Sequence, residues 1–132
     1  MKKLKRYHHS IYYPDWAESS LDAFVRNIRA ENSIVFSIHS VDKIVSETLE
    51  YGRRLFKYLL KAVKRTSLEA DTIFEFYAFR EEVKKACFRF SFDAFPVDII
   101  LVISADGTVI TMFTTNKDDN HSTLDASLYE RR

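Results

Sequence analysis

From Ile73 to Thr115 the chain reads as a series of strands, most of them alternating apolar and polar residues with period two, and this restricts the fold more than any other property of the sequence. Phe74, Phe76 and Ala78 fall on one side of a first strand, with Ile73, Glu75, Tyr77 and Phe79 on the other. A charged turn is expected from Glu81 to Lys85. Ala86, Phe88, Phe90 and Phe92 then point inward, while Cys87, Arg89, Ser91 and Asp93 point outward. Phe95-Pro96 breaks the run. The segment from Val97 to Ser104 is nearly all apolar, as suits a central strand covered on both faces. Asp106-Gly107 predicts a two-residue type I′ hairpin, which pairs Ile103 with Ile110 and Leu101 with Met112. A strand from Thr108 to Thr115 completes a four-stranded antiparallel meander.

A sheet with one Phe-rich face needs a cover. The stretch from Ser37 to Arg65 supplies one. Val41, Ile44, Val45, Thr48, Leu49, Gly52, Phe56, Leu59, Leu60 and Val63 recur at three- and four-residue steps, predicting one long helix with one buried stripe. Ser40 is the expected N-cap. His39 then stands just before the helix, where free N–H groups can help hold an anion. Gly52 falls on the apolar side, where a missing side chain permits close packing or a bend. A shorter helix is expected from Pro14-Asp15-Trp16 to about Glu31, with Leu21, Phe24, Val25 and Ile28 inward. Ile34-Val35-Phe36 reads as a short extended link. The expected fold is α+β, with two N-terminal helices packed on a four-stranded antiparallel β-meander.

One domain of 132 residues is expected. It divides into a basic and aromatic N-terminal arm (1–13), a helical part (14–65), the antiparallel sheet (72–115), and a polar loop and tail (116–132). The tail could add a short helix or strand. The arm either packs its aromatics on the domain or binds nucleic acid, where cations meet phosphates and rings stack on bases.

The net charge of +1 gives no global attraction to nucleic acid or membrane, so local clusters must carry any such partner. The single cysteine excludes an intrachain disulfide and allows a reducing compartment. Cys87 has no base beside it in sequence and reads as a structural thiol. No apolar run reaches the roughly 20 residues of a membrane span. Tyr7-His8-His9-Ser10 falls where a signal peptide needs an apolar segment, so the expected location is the cytoplasm, cellular or host. P-loop, dinucleotide and nucleophile-elbow motifs are absent, which disfavours those enzyme classes.

Four histidines are present. His8 and His9 read as surface residues of the arm. His39 and His121 fall at element ends, where two imidazoles can serve as acid and base near neutral pH. Ser37-Ile38-His39-Ser40-Val41-Asp42-Lys43 opening a helix, followed by an antiparallel meander, resembles the barnase–EndoU–colicin–RelE-like endoribonucleases, including RegB-type phage nucleases and bacterial toxin domains. The resemblance covers roughly Phe36 to Asp125.

It implies metal-independent RNA cleavage. A base frees a 2′-hydroxyl to attack the adjacent phosphate, an acid protonates the departing 5′-oxygen, and a cation stabilises the charge that develops. On this reading His39 and His121 are the base and acid in either order, and Arg89 is the catalytic cation, with Lys84 or Lys117 as alternatives. Arg54, Lys57, Lys61, Lys64, Lys84 and Lys117 would contact RNA, with Tyr77 available for stacking. No metal or other cofactor is expected. A different use of the last loop would let Asp118, Asp119, His121 and Asp125 hold a divalent cation.

Two further readings remain. One is a non-catalytic interaction or inhibitor protein acting through the sheet face or edge. The other is a nucleic-acid-binding module without cleavage. The lysine stripe is also what a simple solvated face looks like. With 11 Phe and 7 Tyr, a homodimer is compatible with the composition.

Overall fold

The computed structural model describes residues 3–30, 34–64, 68–119 and 125–132. In chain order the elements are β1 (Lys5–His8), α1 (Ala17–Ala30), β2 (Val35–Phe36), α2 (Ile38–Tyr51), α3 (Arg54–Ala62), β3 (Ile73–Phe79), β4 (Glu82–Phe90), β5 (Val97–Ser104) and β6 (Thr108–Asn116). The α+β class and the β3–β6 meander agree with the sequence. The element count does not. Among the described residues, three α-helices accompany a six-stranded mixed sheet of order β1-β3-β4-β5-β6-β2, in place of two helices on four antiparallel strands.

Both added strands come from segments with little periodicity. β1 pairs antiparallel with β3, setting Arg6 opposite Tyr77 and Tyr7 opposite Phe76. Tyr7 stacks on Phe76 with ring centroids 5.0 Å apart, so the arm aromatic is core material. β2 adds parallel to β6, where the Ser37 N–H donates to the Val109 carbonyl at 3.0 Å.

The long helix is two helices. Gly52 has φ +72° and ψ −163°, outside the helical region, and its N–H closes α2 by donating to the Thr48 carbonyl. A Cβ placed at Gly52 would meet no atom within 4 Å. The glycine is therefore required by its positive φ and not by close packing. The N-cap is Ser37, three residues before the expected Ser40. Its Oγ accepts from the Ser40 N–H at 3.1 Å and donates to the Ile110 carbonyl at 2.8 Å.

These two hydrogen bonds help fix the rotation of α2 on the sheet. Ser40 and Ile44 are buried and Tyr51 is half-buried, whereas Val41, Val45 and Leu49 are exposed. The buried stripe thus lies one residue, about 100°, away from the expected one. Phe56 and Leu60 of α3 are also exposed, while Leu55, Tyr58, Leu59 and Ala62 are buried. In α1 the expected residues Leu21, Phe24, Val25 and Ile28 are all buried.

Beneath the helices, Phe76, Phe88, Ile99, Leu101 and Met112 form the main core. On the other face Phe74, Cys87, Ile100 and Val102 form a smaller cluster, so β5 is covered on both sides as its sequence requires.

The turns exchange roles. In the Asp106-Gly107 hairpin only Gly107 has positive φ, at 86°, and Leu101 faces Met112 while Ile103 faces Val109. This is a type I turn followed by a glycine bulge, not type I′. Asp106 Oδ1 fixes it by accepting from the Thr108 N–H at 3.0 Å. The turn with two positive φ angles is Arg80-Glu81, at 51° and 65°, between β3 and β4, and most of the expected charged turn is strand. Non-glycine residues in this region cost roughly 1–2 kcal/mol each. Replacing Arg80-Glu81 by Asn-Gly is expected to raise the unfolding free energy by about 1–2 kcal/mol, read from the urea midpoint at constant slope.

Candidate functional site

A carboxylate sits on the sheet face away from the helices. The register of β3 shifts between Ile73 and Glu75, and this places Glu75 opposite Cys87 on β4 and His8 on β1. Glu75 is only 6% exposed. Arg6 donates to its Oε2 through Nε at 3.0 Å, with Nη2 also 3.0 Å away. The Tyr129 hydroxyl donates to Oε1 at 2.6 Å, and Tyr77 and Cys87 reach Oε2 at 3.4 and 3.7 Å. The Glu130 N–H donates to the Arg6 carbonyl at 2.8 Å, so the C-terminal tail runs along the β1 edge. Beside this cluster lies a hollow of about 470 Å³ lined by Tyr77, Lys85, Cys87, Val102, Thr111 and Phe113.

The electrostatics of this face keep its groups in their resting protonation states. Burial, then the Glu75 charge, pushes the Tyr77 hydroxyl up to about 12. Burial followed by Glu75 also raises the Cys87 thiol, and burial with the Glu75 hydrogen bond raises the Tyr129 hydroxyl. Burial alone would lower Arg6, but Glu75 with Tyr77 and Tyr129 outweighs it and the guanidinium is held charged. A protonated thiol is a poor nucleophile. The face can bind and orient, but it supplies no poised base among these groups.

His39 and Arg89, two of the three residues expected to cleave RNA, do not share a place. His39 is exposed on the first turn of α2, in the helix layer beside β2. Arg89 extends from the opposite face of β4, where its Nε donates to Asp98 at 2.7 Å and its Nη groups donate to the Asp119 and Asn116 carbonyls at 2.9 and 3.1 Å. β4 and β2 stand three strand spacings apart, about 14 Å. His39 and Arg89 are thus not poised over one phosphate, and Arg89 holds the end of β6 in place. His121 lies outside the described residues. His8, read from sequence as a surface residue, is buried against Phe74 and Tyr129, with the Ser10 N–H donating to its Nδ1 at 3.2 Å.

The expected RNA contacts separate into two groups. Arg54, Lys57, Lys61 and Lys64 are all exposed on or just after α3. Arg54 donates to the Ala94 carbonyl and lies over the Phe95 ring, while Lys57 and Lys61 lie over Tyr58. Lys117 reaches the same end of the domain by donating to the Phe92 carbonyl. Lys84 pairs with Glu82 at 3.0 Å at the other end of β5, roughly 23 Å away. Tyr77 is half-buried on the far face, with Lys85 Nζ 4.3 Å from its ring centroid, so its ring is already engaged. Among the described residues no three His, Cys, Asp or Glu side chains are grouped to hold a metal, and no helix is long and apolar enough to cross a membrane.

Sequence reasoning missed two features. One is Glu75, although an acid between Phe74 and Phe76 in a strand was a visible signal for a buried charge. The other is the row of exposed apolar residues on α2 and α3. Ile38 is 85% exposed, Leu49 87% and Leu60 63%, with Val41, Val45 and Phe56 about half exposed. No signal in the stretch distinguished these from core positions, because periodicity does not say which side of an apolar arc meets the sheet.

No family model, curated protein or solved structure matches the chain.

Glu75→Gln is expected to destabilise the fold by about 2 kcal/mol in urea unfolding, the penalty for breaking a buried pair being reduced because the Arg6 side chain is one-third exposed. The raised Tyr77, Tyr129 and Cys87 values stabilise the fold while these groups are protonated. That stability is complete below the ordinary values of 9.0 for the thiol and 10.0 for the hydroxyls, and is lost as pH rises through the higher folded values. Urea midpoints should therefore fall from about pH 9 upward, and less steeply in Tyr77→Phe/Tyr129→Phe; an unchanged slope would remove these tyrosines from the account.

Proposed function

We propose that this chain is a non-catalytic interaction protein that docks a partner on the outer side of its α2–α3 layer. The observation that carries the reading is the exposed row Ile38, Val41, Val45 and Leu49, set at three- and four-residue steps on one helix. Large apolar patches of this kind on a monomer mark interaction surfaces. The reading moves the docking surface from the sheet to the helices, because the C-terminal tail occupies part of the open face.

A second reading, RNA binding, is favoured by one observation. Arg54, Lys57 and Lys61 from α3 gather with Lys117, distant in sequence, around the turn containing Phe92 and Phe95. Such a cluster would meet phosphates. Cleavage would additionally need His39 or His121 to work without Arg89 beside His39.

A photo-crosslinking residue at Leu49 is expected to give discrete protein adducts in lysate, while one at Ser91 gives none; equal labelling at both positions would remove the helix surface as the site. Mixed cellular RNA incubated with the protein in EDTA is expected to stay intact. Chelator-resistant cleavage that disappears in a folded His39→Ala variant would establish a metal-free nuclease instead.

A further inference from the structure

Resting on the interaction reading, we infer that the partner is a second copy of this chain, with α2 of each copy lying antiparallel against α3 of the other. The two helices carry the same pattern with opposite charge. On α2 the exposed apolar residues Val41, Val45 and Leu49 are each followed by an exposed polar residue: Asp42, Ser46 and Glu50. On α3 the exposed Phe56 and Leu60 are followed by the exposed Lys57 and Lys61, and in the link just before α3 Gly52 is followed by the exposed Arg53, whose backbone is already helical. Each helix therefore bears an apolar row with a polar row about 100° further round.

Handedness decides how two such helices fit. When their apolar rows face each other, an antiparallel arrangement puts both polar rows on the same side of the contact, whereas a parallel one puts them on opposite sides. Both polar rows span eight residue steps, about 12 Å. Aligned antiparallel, Asp42 meets Lys61 of the other copy, Ser46 meets Lys57, and Glu50 meets Arg53. A twofold axis makes this contact twice, which is the self-complementarity a closed dimer needs.

Charge selects against other occupants. From Asp42 to Glu50 there are three carboxylates and one lysine, while from Arg53 to Lys64 there are five cations and no carboxylate. An anionic membrane or a nucleic acid would meet the basic helix well and be repelled by the acidic one. A second α2 placed on α2 would set acids against acids. A copy turned by 180° satisfies both helices.

The area is adequate. With roughly 200 Å² for a fully exposed large apolar residue, Ile38, Val41, Val45, Leu49, Phe56 and Leu60 present on the order of 700 Å² per copy at their exposures. A stable protein–protein contact uses about 800 Å² per partner.

The test is sedimentation velocity on the purified full chain, with circular dichroism and urea midpoints confirming that each variant is folded. The expected species has twice the 15.5 kDa chain mass at micromolar concentration. Val45→Asp/Leu49→Asp is expected to leave a folded monomer. Asp42→Lys alone and Lys61→Glu alone should each weaken the dimer about tenfold or more through like-charge contact, and the two together in one chain should restore it.

A wild-type monomer at 100 µM overturns the inference, as does a dimer that survives Val45→Asp/Leu49→Asp, or a double charge exchange that fails to recover. A wild-type monomer whose Leu49 probe still gives adducts in lysate leaves the interaction reading standing with a different partner. A monomer with no adducts removes both. A monomer whose Lys57→Glu variant loses salt-sensitive RNA binding assigns the basic helix to nucleic acid.

Discussion

A charge placed inside a sheet must be satisfied where it lies, and Glu75 recruits both ends of the chain to do this. Arg6 brings β1 to the edge of β3, and Tyr129 brings the tail across the same face. Neither segment has a strong periodic pattern of its own. Their positions follow from one carboxylate that would be costly to bury without partners. Burial, reinforced by the same carboxylate, holds two tyrosines and a thiol in their protonated forms. This face is an anchoring network with a hollow beside it.

The helix layer has a different origin. Ser37 ties the start of α2 to β6, and Gly52 ends it. These two points set the helix rotation so that Ser40 and Ile44 meet the sheet and Val41, Val45 and Leu49 meet solvent. An apolar arc wider than the sheet can cover leaves surplus surface. That surplus, with acids on one helix and cations on the next, supports the interaction reading and its extension to a second copy.

The expected nuclease site shows how residue type and placement separate. His39 has a suitable environment for an exposed imidazole at a helix start. Arg89 has suitable chemistry for stabilising a phosphorane. However, the sheet lies between them, and Arg89 is engaged by Asp98 and two carbonyls that close the end of β6. The basic residues of α3 did find a distant companion in Lys117, at the Phe92–Phe95 turn. That meeting, and not the histidines, is what keeps RNA among the readings.

The sequence by itself determined the α+β class, the order of the four meander strands, the burial of β5 on both faces and the inward face of α1. Each depends on a local pattern of apolar residues, alternating or continuous, which is written in consecutive positions. The added strands β1 and β2, the break at Gly52 and the exchange of turn types were decided by tertiary structure, because each depends on a partner far along the chain or on a backbone angle that several residues can adopt. The rotation of α2 belongs with these. Its apolar arc was legible, but which edge of that arc faces the sheet was settled at the two helix ends, by Gly52 and by Ser37, whose Oγ donates to the carbonyl of Ile110. A carbonyl 73 positions away leaves no trace in the local pattern of a helix.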